Sequence, residues 1–151
     1  MNKARYTSTE VQSLFRMIAT INEIEKSFAS VFREYDLSLI QYWILTSLHQ
    51  ASPSSLRLNQ LAKKLNSSHQ NIKQICVNLE KKGWVSLSPD PMDKRSTMVL
   101  LSDQFEIKRF ELDLLFDRHL NRLYYRLSKE DFYRLSILLE RLQENTEALI
   151  P

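Results

Sequence analysis

One long part of this chain resists being read as helix: "GWVSLSPDPMDKRSTMVLL", Gly83 to Leu101. Its two ends, "WVSLS" and "TMVLL", are apolar and β-prone. Between them "PDPMDKRS" carries two prolines, two aspartates, a lysine and an arginine. Proline neither continues a helix nor donates within a sheet ladder, so the joint has to be a turn and the whole segment a two-stranded hairpin. A hairpin alone is marginal in water, so this one must lean on helices. The fold therefore has to present one small β element, cationic at its tip, on a helical body.

The helices declare their own ends. "TSTE" predicts a first helix capped by Thr7 with Glu10 closing a capping box. Val11, Leu14, Ile18, Ile21, Phe28, Phe32 and Tyr35 follow at spacings of three and four, interrupted by Glu25. "LSLIQ" starts a second helix with Ser38 as cap and Gln41 three residues on, and "ASPSS" reads as a loop. A short helix, "NQLAKKL", puts Leu58, Leu61, Ala62 and Leu65 on one face and ends at Asn66, a residue that tolerates the left-handed conformation. Ser68 caps the next helix, His69 to about Lys82, whose apolar face is Ile72, Ile75, Cys76 and Leu79; Gly83 ends it. Beyond the hairpin, Ser102 opens a helix with apolar positions Ile107, Phe110, Leu114, Leu115, Leu120, Leu123 and Leu127. "SKED" then places Ser128 as the cap of a last helix carrying Phe132, Leu135, Leu138, Leu139, Leu142 and Leu149.

Charge divides the chain. From Arg57 to Leu100 there are eight cations against three anions, a net of +5, whereas the remaining 13 cations and 15 anions leave −2. A basic middle suits a polyanion met by one part of the molecule, although a solvated lysine-rich face has the same composition. No apolar run is long enough to span a membrane and no signal peptide is apparent, so a cytoplasmic protein is expected. One cysteine, Cys76, excludes an internal disulfide, and His49, His69 and His119 have no metal-ligand spacing, so neither metal nor cofactor is expected. No nucleophile elbow, phosphate loop or paired-carboxylate pattern is present, and an enzyme is not expected.

Two helices joined by the short polar turn "LNSSH" make a helix-turn-helix, whose second helix can enter a DNA major groove. With its apolar face inward, that helix turns His69, Gln70, Lys73, Gln74 and Val77 outward, with Asn71 at the edge and Ser68 at its start. Gln and Asn pair a donor with an acceptor and match adenine N6 and N7; Lys73 suits phosphate or a guanine edge. A protruding tip bearing Lys94 and Arg95 can reach the phosphate backbone or a minor groove.

"LSLIQYWIL", "LNQLAKKLNSSHQNIKQICVNLEKKGWV" and above all "DPMDKRSTMVLLS" resemble the multiple-antibiotic-resistance-regulator (MarR) family of bacterial winged-helix transcription factors. The family's wing holds an Asp-x-Arg, here Asp93, Lys94 and Arg95, preceded by Leu-Glu-Lys-x-Gly, here Leu79 to Gly83. The resemblance implies a mainly α fold: one MarR-type domain over residues 1–151, with a winged-helix lobe at 37–101 and a β-hairpin wing. Helices at 7–35 and 102–150 would form a dimerisation region. It further implies a homodimer on a pseudo-palindromic double-stranded DNA operator, with Arg95 in the minor groove, Asp93 holding Arg95 in position, and a small aromatic effector relieving repression. Phe15, Arg16, Tyr42 and Trp43 are candidates for the effector pocket. The chain departs from the pattern at Asn66 and Phe105, where the family often has glycine, and its recognition helix lacks arginine.

Other readings stand beside these. Apolar terminal helices suit a second copy, or could wrap a monomeric core. A recognition helix poor in arginine leaves open a winged-helix module that binds a protein partner. Cys76, on the apolar face, reads as core rather than as a redox sensor.

Overall fold

The computed structural model describes residues 8–150. Six α-helices and three strands follow in the order α1 (Thr9–Val31), α2 (Leu39–His49), β1 (Ser55–Arg57), α3 (Leu58–Lys64), α4 (His69–Lys81), β2 (Val85–Pro89), β3 (Thr97–Leu101), α5 (Asp103–Leu123) and α6 (Lys129–Glu147), with a short 3-10 helix at Arg33–Tyr35. The chain divides into two compact units, one up to Phe116 and one from Asp117.

Local bonding explains most helix ends. Ser38 accepts the N–H of Gln41, whose side chain accepts the N–H of Ser38 in return. Ser68 accepts the N–H of Asn71, and Ser128 that of Asp131. Asn66 and Gly83 take the expected left-handed backbone, at φ 46° and 78°. The first helix differs from expectation. Its cap is Ser8, which accepts the N–H of Val11 at 3.4 Å, so Glu10 is one position too early to close a capping box; Thr7 lies outside the described residues.

The sheet also differs. It has three antiparallel strands in the order β1-β3-β2, not two. Ser55–Arg57, which starts at the last residue of the stretch predicted as loop, pairs with Met98–Leu100, so β3 is hydrogen-bonded on both sides. Three residues carry too little pattern to announce a strand; β1 exists because β3 offers it a free edge. Pro89 closes β2, an edge strand, where its missing N–H breaks no ladder bond.

The core of the first unit is the lobe. Ile44, Leu45, Leu48, Leu61, Ile72, Cys76, Leu79 and Val99 are all fully buried. Burial explains the Cys76 thiol, whose pKa desolvation pushes up to about 12, so it stays protonated and unreactive. The aromatic layer Phe28, Phe32, Tyr42 and Phe116 packs beside the lobe, with ring centroids 4.9 to 6.0 Å apart. The face that α5 turns inward is not the one that carries Ile107 and Phe110. Phe105 and Leu112 are fully buried, while Ile107 and Phe110 are 75% and 77% exposed. The reason lies at the helix entry: the Ser102 hydroxyl donates to the Gly83 carbonyl at 2.7 Å and the Ser102 N–H to the Trp84 carbonyl. That anchor sets the rotation of α5, and 105, 112 and 116 form the i, i+7, i+11 line that meets the lobe. Leu127 lies beyond the end of α5.

Candidate nucleic-acid interface

The sequence of α4 gives it two unlike faces. Ile72, Cys76 and Leu79 are buried against the lobe, and this leaves His69, Gln70, Asn71, Lys73 and Gln74 exposed. Two of the five are engaged within the helix. The Asn71 amide donates to the Ser67 hydroxyl at 2.9 Å, and the Gln74 amide reaches Asn78 at 3.5 Å. Each keeps a second N–H and most of its carbonyl capacity, so a donor–acceptor pair is still available to a ligand. Ser68 is exposed and already spends its oxygen as the cap. Val77, expected to face outward, is half-buried.

The wing tip is a closed turn. Asp90 donates its N–H to the Ser96 carbonyl, and the Ser96 N–H donates to the Asp93 carbonyl at 2.8 Å. The Asp93 carboxylate accepts the backbone N–H of Arg95 at 3.0 Å. So Asp93 shapes the backbone under Arg95, and among the described residues no ion pair joins the two side chains. Lys94 and Arg95 are both exposed and have no anionic partner among the described residues.

The positive charge of the middle segment is sorted by the fold. Arg57 pairs with Asp90 through its Nε, and Lys82 pairs with Asp36 at 3.1 Å across to the start of α2. Lys63, Lys64, Lys73, Lys81, Lys94 and Arg95 are left exposed. Glu80, on α4, accepts the Leu87 N–H of β2 at 2.7 Å, which ties the exposed helix to the wing.

Sequence reasoning missed three residues here: Arg57, Glu80 and Asp90. Asp90 had a readable signal. An Asp before a proline, two residues ahead of an amide it can accept, is an Asx-turn pattern, and its Oδ1 does accept the Met92 N–H at 2.8 Å. That bond, with the Arg57 guanidinium next in weight, holds the Asp90 carboxyl below the ordinary aspartate range. Arg57 and Glu80 carried no comparable signal, because their partners lie in other elements.

The four candidate pocket residues are not alike. Tyr42 is buried and its hydroxyl donates to Asp113 at 2.7 Å; Trp43 is half-exposed; Phe15 and Arg16 lie exposed on α1. A cleft of about 570 Å³ is lined by Tyr35, Lys82, Trp84 and Glu111 among others, and a smaller one by Glu25, Ala29 and Ile40 among others. Neither takes in any of the four. Among the described residues, no helix is long and apolar enough to cross a membrane.

Comparison with known proteins agrees with this geometry. A sequence model described as the MarR family matches residues 35–96. No curated protein sequence matches the chain. A MarR family transcriptional regulator from Streptomyces coelicolor, solved in complex with DNA, has the same fold at a TM-score of 0.79 and 24% identity, over 91% of this chain and 89% of that one. An organohalide-sensing transcriptional regulator in its 2,4-dichlorophenol-bound form gives 0.87 at 18% identity, over 99% and 88%. MepR of S. aureus, bound to DNA, gives 0.77 at 22% identity, over 89% and 96%. Residues 35–96 carry the sequence signature of the MarR family, and the fold shared with these solved proteins extends over nearly the whole length of the chain.

Proposed function

We propose that this protein is a homodimeric, sequence-specific reader of double-stranded DNA that acts as a cytoplasmic transcriptional repressor. The observation that carries the reading is the pairing, in one unit, of an exposed polar α4 face with an exposed cationic wing tip. In this reading α4 enters the major groove with Ser68, His69, Gln70, Asn71, Lys73 and Gln74. The wing brings Lys94 and Arg95 to the minor groove, and Asp93 shapes the turn beneath them. Residues 37–101 form the reading lobe of a single MarR-type domain, and 7–35 with 102–150 form its dimerisation helices. Support for the dimer comes from apolar side chains left uncovered in a single chain. Leu14, Ile18 and Ile21 on α1 are about half-exposed, as are Leu138, Leu139 and Leu142 on α6. Two-fold symmetry then calls for a pseudo-palindromic operator. An aromatic effector is the proposed release signal, in line with the 2,4-dichlorophenol bound by one protein of the same fold; Phe15, Arg16, Tyr42 and Trp43 are proposed to meet it.

The test begins with selection of duplexes from a randomised library by the full-length protein. Enriched sites should lean towards A·T, because Gln70, Asn71 and Gln74 suit adenine. On such a duplex, Arg95→Ala should weaken binding by about 1–3 kcal/mol while leaving thermal unfolding unchanged. Affinity should also fall steeply between low and moderate salt. Failure to enrich any duplex, or binding indifferent to salt, would favour a winged-helix module that docks on a protein.

A further inference from the structure

We infer that Arg57 is a positioning residue for the wing and not one of its phosphate contacts; this rests on the reading of the wing as a DNA-contacting element. By charge and location Arg57 belongs to the basic segment, but its guanidinium is already used. Arg57 ends β1, paired with Met98 of the central strand, and Met98 pairs on its other side with Ser88 of β2. Its Nε bonds to Asp90, just beyond the end of β2, so the side chain reaches past the middle strand and ties the two edges of the sheet together at the base of the turn.

Asp90 is built to receive that bond. Residues 91 to 95 around it are exposed, yet its own side chain is only 4% exposed. Each of its polar atoms has a partner. Oδ2 meets Arg57, Oδ1 accepts the Met92 N–H, its N–H donates to Ser96, and its carbonyl accepts the Asp93 N–H. A carboxylate buried this deeply needs a cation beside it, because removing one member of a buried pair leaves an uncompensated charge. The 90–96 turn that carries Lys94 and Arg95 is thus anchored at its first residue by Arg57. On the other edge, Glu80 of α4 holds the Leu87 N–H of β2. These two attachments fix where the tip cations sit relative to the exposed helix.

The sign of one substitution separates a brace from simple charge. Asp90→Asn removes an anion from a surface that meets phosphates, so electrostatics alone would tighten DNA binding. A brace makes the opposite prediction: on the duplex selected by the wild-type protein, Asp90→Asn weakens binding, by a factor on the order of ten. Arg57→Gln should weaken it by a similar factor. Combined with Arg95→Ala, it should add little to the loss caused by Arg95→Ala alone, since both act through the same tip. Should Asp90→Asn lower the melting temperature enough to unfold the sheet, Arg57→Lys serves instead. It keeps the charge without the guanidinium fork, so a phosphate contact would bind almost as well and a brace would bind less well. The inference is overturned if Asp90→Asn binds as tightly as the wild type or tighter, if Arg57→Lys matches the wild type, or if Arg57→Gln and Arg95→Ala losses add in full. If the wild-type protein selects no duplex at all, the functional reading falls first and takes this inference with it.

Discussion

Helix α2 and helix α6 make opposite use of the same leucine-rich spacing. In α2, six of eleven residues are buried, Leu45 and Leu48 completely. In α6, nineteen residues long, none is buried, and Leu138, Leu139 and Leu142 are between 43% and 61% exposed. Apolar periodicity identifies which side of a helix is to be covered and is silent about what covers it. For α2 the cover is the lobe of its own chain. In α6 no residue of the helix is buried, which is why a second copy is proposed.

The sharpest way to break this contrast is to cut one leucine from each helix. Leu45→Ala should cost about 2–5 kcal/mol in denaturant unfolding, with no dependence on protein concentration, because its cavity is sealed within one chain. Leu138→Ala should behave differently. Its cost in dilute solution should fall within about 0.5 kcal/mol, as for other exposed positions, and should grow as concentration favours assembly. An equally large, concentration-independent loss at Leu138 would mean that the monomer itself covers α6.

A smaller effect tests what the two regions share. Ser68 and Ser128 both cap helices by accepting an amide N–H three residues ahead, at 3.2 Å in each case. Changing either to Ala should cost about 1 kcal/mol by thermal melting, despite the difference in burial between α4 and α6. A cap that mattered in only one region would show that its helix is held mainly by tertiary contacts.

The smallest effect concerns Tyr35, whose hydroxyl donates to Glu111 at 2.6 Å. That bond, then burial, pushes its pKa up to about 12. The proton is held more tightly in the folded chain, so this contribution to stability is complete below the ordinary tyrosine value of about 10 and fades as pH rises through 12. Spectroscopic titration should find Tyr35 ionising late, and Glu111→Ala should bring it back towards the ordinary tyrosine value of about 10. Unchanged titration would place the cause outside this bond.

How much could be read in advance follows the distance over which each feature is decided. The caps at Ser38, Ser68 and Ser128, the stops at Asn66 and Gly83, and the inward stripe of α4 were legible, because each depends on residues within about two turns of one another. The polar face from His69 to Gln74 was legible for the same reason, as the complement of that stripe. Where the polar signals overlapped, at Thr7 and Ser8, the start of α1 was misplaced by one residue, since two adjacent hydroxyls offer the same chemistry.

The sequence by itself determined where most helices begin and end and which residues of α4 and the wing tip would be polar, since hydrogen bonds to nearby amides and a fixed helical period decide those matters locally. Tertiary structure alone decided that Ser55–Arg57 would become a strand, that α5 would bury Phe105 and Leu112 while leaving Phe110 in water, and that Arg57 would be spent on Asp90. Those outcomes depend on surfaces brought together from positions tens of residues apart. A short strand needs an open edge, a helix needs an anchor to set its rotation, and a buried carboxylate needs a cation within reach.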